Sequence, residues 1–239
     1  MRILEGEGVT KYFGGLAAIS EADFHVDEGE IVGLIGPNGS GKTTLFNLIS
    51  GALVPRSGVI KFKGDNITGL KPHKICKKGV ARTFQTDKLF AGLTVLENTT
   101  VGSYFGKPKF VSVADAEREA MELLEFTELS ALMAIPAGDL PIAGRKRLEV
   151  TRALATKPEL LLLDEVMAGL NSTEVAEAME LISKIRDKGT TIFMIEHVMK
   201  AIMNVCDRII VLHHGSKIAE GTPEEIATSR KVIEVYLGE

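Results

Sequence analysis

An α/β fold built on a largely parallel sheet is what this chain predicts, and three observations lead there. Short apolar runs bounded by turn residues alternate with helical patterns along most of the length. One of those runs, Leu160–Leu163, is apolar without alternation, as expected of a strand covered on both faces. The 239 residues, 45% hydrophobic and 25% charged, also hold enough apolar material for one sizeable core.

Up to Phe62 the chain offers short strands between Gly-rich turns, Phe24–Val26 and Val59–Phe62 among them, and reads as an antiparallel sheet. Ile31–Ile35 is a clearer strand, followed by a helical run, Thr44–Ser50. From about Thr94 to Lys157 the pattern is helical, most strongly over Ala114–Phe126. Beyond Leu160–Leu163, the helix predicted at Glu174–Asp187 repeats Val175, Met179, Ile182 and Ile185 at helical spacing. Strands Thr190–Ile195 and Arg208–Leu212 follow. No internal repeat, low-complexity tract or linker interrupts the pattern. Residues 1–239 therefore read as a single domain, with a helical lobe at about 87–157 inserted into the α/β core.

Composition excludes several classes of function. The formal net charge of −4 offers no global basic field, so nucleic acid is not an expected partner. Cys76 and Cys206 are too few and too far apart for a disulfide framework or a metal cluster. The N-terminus, Met1-Arg-Ile-Leu-Glu-Gly-Glu, lacks the apolar run of a signal peptide. No stretch approaches the ~20 apolar residues that span a bilayer. The chain reads as soluble and cytosolic, without direct membrane insertion. Any work at a membrane goes through a partner.

The strongest motif is Gly36-Pro37-Asn38-Gly39-Ser40-Gly41-Lys42-Thr43, which matches G-x-x-x-x-G-K-[ST] in full. It follows the strand Ile31–Ile35 and precedes the helical run that opens at Thr44, the context its physics requires. Gly39 and Gly41 let backbone N–H groups turn inward around phosphates, and the following helix presents its positive end. Lys42 brings a positive charge to β- and γ-phosphate oxygens, and Thr43 offers a hydroxyl to Mg²⁺. Taken alone, the motif leaves kinases, GTPases and ATPases open. An acidic pair, Asp164-Glu165, closes the buried run Leu160–Leu163. Asp164 is placed to hold the Mg²⁺ shell, and Glu165 to polarise a water attacking the γ-phosphate.

With these in place, the chain resembles an ABC-transporter ATPase along nearly its whole length, because further motifs stand in that family's order. Gln85, in Arg-Thr-Phe-Gln, matches the glutamine loop that contacts Mg²⁺ and water and relays to the membrane subunit. Gly169-Leu170-Asn171 matches the loop that crosses the family's dimer interface, and His197, in Ile-Glu-His, the histidine that contacts the γ-phosphate. Phe13, before Gly14-Gly15, matches the aromatic on which adenine stacks, with Tyr12 as the fallback. The resemblance implies a P-loop NTPase core of the RecA-like kind, with an N-terminal antiparallel β subdomain and an inserted helical subdomain. It implies ATP and Mg²⁺ as cofactors. Lys42, Gln85, Glu165 and His197 are then the catalytic set, Phe13 and Gly36–Thr44 the nucleotide contacts, and Thr43, Gln85 and Asp164 the metal contacts. Implied partners are membrane permease subunits and a second ATPase subunit, with the chain peripheral on the cytoplasmic face of the membrane.

Phe13-Gly-Gly-Leu, Thr44-Leu-Phe-Asn, Ala81-Arg-Thr-Phe-Gln, Gly169-Leu-Asn and the ending Val232-Ile-Glu-Val-Tyr-Leu-Gly-Glu resemble the branched-chain amino-acid importers' ATPases. Lipopolysaccharide-export ATPases, similar in length and tail, are the alternative, and a slow-turnover regulatory ABC domain is another. The family's signature, Leu-Ser-Gly-Gly-Gln, is altered. Aligned without gaps, this chain has Leu140-Pro-Ile-Ala-Gly144. Pro141 has neither hydroxyl nor N–H, and Ile142 and Ala143 add Cβ atoms where close backbone approach is expected. A one-residue slip would give Gly144 the glycine's role. Val166 replaces the proline usual after the acidic pair, a milder departure. Because family dimers pair head to tail, each signature closes over the other chain's ATP. The change therefore weakens the partner's site, which favours a heterodimer over the possible homodimer.

Overall fold

The structure, a computed structural model, describes residues 1–85, 88–106 and 112–237. Asp87 and residues 107–111 of the expected helical lobe lie outside the described residues, as do the last two residues of the tail. The chain opens with two long strands, β1 (Arg2–Phe13) and β2 (Leu16–Asp27), then β3 (Ile31–Ile35) and helix α1 (Lys42–Ile49). β4 (Ser57–Phe62), β5 (Asp65–Asn66), α2 (Pro72–Lys77) and β6 (Val80–Arg82) follow. The helical stretch is α3 (Val95–Phe105), α4 (Val113–Phe126), two short 3₁₀ turns and α5 (Ile142–Leu154). After it come β7 (Leu160–Asp164), α6 (Ser172–Asp187), β8 (Thr191–Ile195) and α7 (Met199–Val205). β9 (Arg208–His213), β10 (Ser216–Gly221), α8 (Pro223–Thr228) and α9 (Arg230–Leu237) complete the chain.

The contacts divide these elements into two compact units, Met1–Ile75 with Thr191–Glu239, and Cys76–Thr190. The first unit has two sheets. One is antiparallel, ordered β2-β1-β4-β5, as the Gly-rich opening predicts. Its strands are longer than expected, because β-bulges in β1 break the period-two signal that would reveal them. In the other, β3 lies between β8 and β9 and pairs parallel with both, and β10 pairs antiparallel with β9. Every residue of β3 and β8 is buried, which explains their continuous apolar character. Phe193 on β8 joins the layers, with its ring 5.1 Å from that of Phe46 on α1 and 6.4 Å from that of Phe24 on β2.

The second unit pairs β6 with β7 in parallel, carries α6 after β7 and, between the two strands in sequence, holds α3, α4 and α5. Val95, Leu124, Leu129, Leu140 and Leu148 form their apolar core. Local chemistry sets the helix starts: Thr94 with Glu97 forms a capping box on α3, and Asn171 with Glu174 another on α6. Buried Asn98 accepts from the N–H of Phe90 and donates to the carbonyls of Phe90, Leu93 and Thr94, fixing the turn into α3. Among the described residues no helix is long and apolar enough to cross a membrane.

Candidate functional site

The expected residues divide between the two units. In the first, β3 delivers the chain straight into the loop Gly36–Gly41, and α1 starts at Lys42. The loop is hemmed in by its own unit. A Cβ at Gly36 would lie 2.1 Å from the Leu212 carbonyl oxygen, and one at Gly41 2.4 Å from that of Ala18. Both residues have positive φ, 152° and 107°, so glycine is required twice over. Lys42 is only 6% exposed, and its Nζ donates to the carbonyls of Gly36 at 2.7 Å and Pro37 at 2.9 Å. Its charge is thus inside the loop's curve. Ser40 Oγ is buried without a hydrogen-bond partner among the described residues, and α1 has no side-chain cap and no acidic residue in its first turn. The loop therefore offers a lysine charge, a hydroxyl and uncapped N–H groups, a donor set matched to an anion.

Phe13 and Tyr12 stand at the end of β1, both well exposed, and Lys11 Nζ lies 5.6 Å from the centre of the Phe13 ring. A ring with one face against solvent can accept a base. His197 follows β8 and is exposed, its N–H donating to the buried Glu196 carboxylate at 3.3 Å.

In the second unit the acidic pair ends β7. Asp164 is fully buried, and Arg82 Nη2 donates to its Oδ2 at 2.8 Å, an ion pair with almost no exposure on either side. Asp164 Oδ1 has no hydrogen-bond partner among the described residues. Burial raises the Asp164 carboxyl above its ordinary value, and Arg82 works against that rise. Glu165 adopts φ 53°, a left-handed backbone rare for a side chain of its size and typical of functional turns. Gln85 Nε2 donates to Glu165 Oε2 at 3.0 Å, which brings the glutamine to the acidic pair 80 residues away in sequence. Asn171 caps α6 through bonds to the N–H groups of Thr173 and Glu174.

Residues that the sequence did not single out also hold this segment. Lys146 Nζ donates to the Gln85 carbonyl at 3.4 Å, and the Glu149 carboxylate accepts from the N–H groups of Phe84 and Lys88. Both stand on α5, one turn apart. Their signal was faint: charged side chains on the apolar face of an amphipathic helix. Arg82, at the end of the apolar Val80-Ala81, carried a similar one.

The altered signature begins α5. Leu140 is buried in the helical core, Pro141 takes the cap position with no side-chain bond, and Ile142 is 49% exposed. A Cβ at Gly144 would meet only ordinary contacts, at 3.4 Å and beyond. Gly144 is an ordinary helical residue.

A phosphate-type loop after a buried strand, with an acid pair on another, defines a nucleotide-binding protein. Comparison with known proteins makes the class definite. Residues 19–168 match the family model described as ABC transporter, and residues 216–239 that of the branched-chain amino acid ATP-binding cassette transporter. The chain belongs to the ABC transporter family and is an ATP-binding subunit with ATPase chemistry.

Its particular place is beside the branched-chain group. The chain is 42% identical to the high-affinity branched-chain amino acid transport ATP-binding protein BraF of Pseudomonas aeruginosa, covering 99% of this chain and 98% of that one. It is 40% identical to LivG of Escherichia coli K12, of the same description and at the same coverage. Among solved structures, MJ1267, an ATP-binding cassette of an ABC transporter, superposes in its ADP conformation with TM-score 0.91 at 34% identity, covering both chains fully. The dimeric post-hydrolysis state of the cassette MJ0796 with ADP and Pi gives 0.83 at 27%, covering 92% of this chain and 98% of that one. The expected architecture holds: an α/β nucleotide-binding core, an N-terminal antiparallel sheet and a helical segment between β6 and β7. The export-type and regulatory alternatives are not favoured.

Proposed function

We propose that this chain energises import of branched-chain or related amino acids by hydrolysing ATP, from the cytoplasmic face of the membrane. It forms one cassette domain with a helical lobe and works with permease subunits and a second, different ATPase subunit. The names of its relatives, and their coverage of almost the whole chain, support the cargo. The observation that carries the chemistry is the Asp164 carboxylate: buried, tied through Oδ2 and without a hydrogen-bond partner at Oδ1 among the described residues, in a chain whose phosphate loop is intact.

Lys42, the loop N–H groups and Ser40 grip the β- and γ-phosphates, while Phe13 stacks on the adenine. Mg²⁺ bound with a nucleotide takes few protein oxygens, so Asp164 Oδ1 and the Thr43 hydroxyl would hold it, with Gln85 beside them. When bound, it draws charge from the phosphate oxygens. Glu165 takes the proton of the attacking water, and His197 contacts the γ-phosphate. The Gln85 amide, bonded to Glu165, would be available to the attacking water and to the metal.

Single-turnover hydrolysis by Glu165→Gln tests the chemistry. We expect intact ATP binding and a rate lowered by ~10²–10⁴-fold, the span of a general base. A variant turning over at the wild-type rate removes Glu165 from the role. The cargo is tested in vesicles containing the permease and both ATPase subunits, by ATP-driven uptake of labelled leucine, isoleucine and valine. No uptake of any of them sinks the assignment.

A further inference from the structure

Asp164 sits at the end of an otherwise apolar strand, and Arg82 holds its carboxylate there. Strands β6 and β7 pair in parallel, Arg82 opposite Leu162, which sets the guanidinium beside the carboxylate two residues on. The backbone is pinned independently: Thr83 N–H donates to the Leu162 carbonyl at 2.9 Å, and Asp164 N–H donates to Thr83 Oγ1 at 3.0 Å. With the backbone already fixed, the Arg82 bond acts on the carboxylate itself. Its Nη2 takes Oδ2 at 2.8 Å, and its guanidinium carbon lies 5.2 Å from the Phe84 ring centre, so the cation is held from a second side. Oδ1 is left without a partner among the described residues. We propose that Arg82 is a positioning residue that fixes the Asp164 carboxylate through Oδ2 and so reserves Oδ1 for Mg²⁺. The inference rests on the reading of Asp164 as a metal contact.

A carboxylate secured only by its backbone can turn about its own axis and present either oxygen, or neither, in the required direction. The Arg82 bond removes that freedom before metal arrives, as outer partners of metal ligands do elsewhere. If the pair were instead only a staple between β6 and β7, its loss would lower stability and leave metal affinity alone.

The test uses the whole chain, a non-hydrolysable ATP analogue and Mn²⁺ as the probe, with bound Mn²⁺ read by electron paramagnetic resonance. Nucleotide affinity in excess chelator is measured alongside. We expect Arg82→Gln to weaken Mn²⁺ in the nucleotide complex about 10- to 100-fold. Arg82→Lys, which keeps the charge but loses the fork, should recover part of this, and metal-free nucleotide affinity should stay constant in all. Wild-type Mn²⁺ affinity in Arg82→Gln overturns the proposal, and so does a parallel fall in metal-free nucleotide affinity. If Arg82→Gln does not fold, Arg82→Lys decides: weakened Mn²⁺ at an unchanged melting temperature supports the proposal, and unchanged Mn²⁺ overturns it. A wild-type chain that takes up no Mn²⁺ with the analogue overturns the Asp164 reading itself, and this inference with it.

Discussion

Two helices of this molecule begin in the same bare way and differ in everything around that beginning. α3, α4, α6 and α8 each start with a Thr, Ser or Asn side chain bonded to a first-turn N–H. α1 and α5, like the short α7, have no such cap and no acidic residue in the first turn. Both therefore turn an unneutralised positive end outward, at a cost of about 1 kcal/mol each in lost capping. At α1 the cap is replaced by a loop whose curvature is enforced by neighbouring carbonyls and whose centre holds Lys42. At α5 it is replaced by Pro141 and a half-exposed Ile142. An uncapped helix end attracts an anion; only the enclosing backbone and a fixed charge make it a site. By that measure α1 is complete and α5 is not.

Removing the fixed charge should break the comparison most visibly. On the proposed reading, Lys42→Ala would delete the charged hydrogen bonds to two phosphate oxygens. At about 1.5 kcal/mol each, ATP affinity should fall by about 100-fold in calorimetric titration. If affinity is retained, the loop backbone alone does the gripping and α1 is no better equipped than α5.

The enclosing backbone is probed next, with the same substitution at both ends. Gly36→Ala forces a methyl to within 2.1 Å of the Leu212 carbonyl oxygen, so the loop or β9 must move. We expect a loss of about 1–3 kcal/mol of stability together with weaker ATP binding. Gly144→Ala in α5 meets no contact shorter than 3.4 Å and swaps a helical glycine for alanine. It should be neutral or stabilise by about 0.5–1 kcal/mol. Equal melting temperatures for the two variants would erase the distinction between a shaped loop and a bare helix end. Phe13→Ala, lying outside the loop, should weaken ATP by roughly 1–3 kcal/mol, the range of base stacking on an aromatic ring, with Phe13→Tyr nearly neutral. A larger loss in Tyr12→Ala would hand the adenine to Tyr12.

What sequence could announce follows the same division. β3, β7 and β8 were legible because burial on both faces leaves an uninterrupted apolar run. The full length of β1 and β2 was not, since bulges shift the alternation. Nor was β6, a three-residue strand ending in arginine. The phosphate loop was legible because its chemistry is local, spelled by contiguous residues. The hold of Arg82 on Asp164 and of Glu149 on the glutamine segment was not, because the partners lie 82 and more than 60 residues away. Such contacts exist only once the fold has closed, and a buried charge in an apolar context was the one hint.

The smallest structural effect carries the sharpest functional test. Pro141→Ser gives α5 a hydroxyl cap like those of α3, α4 and α8, which should stabilise the chain by about 0.5–1 kcal/mol, near the low end for a new cap. Ile142→Gly and Ala143→Gly with it clear the approach to the first N–H groups, at a cost of about 0.5–1 kcal/mol per helical glycine. Net stability should therefore be flat or slightly lower, and any gain in activity cannot come from a firmer fold. If Leu140–Gly144 is a weakened signature, the wild-type chain alone places two poor signatures over its own ATPs. It should bind ATP yet hydrolyse it feebly, and the triple variant should hydrolyse faster as a homodimer. In a transporter assembled with a second, different ATPase subunit, as proposed, the wild-type signature would face only the partner's nucleotide. Glu165→Gln in this chain should then abolish transport, while the equivalent change in the partner is better tolerated. Brisk hydrolysis by the lone wild-type chain, with no gain from the repair, would make Pro141-Ile142-Ala143 a working variant, and α5, uncapped and half covered by isoleucine, would have to be counted a complete site after all.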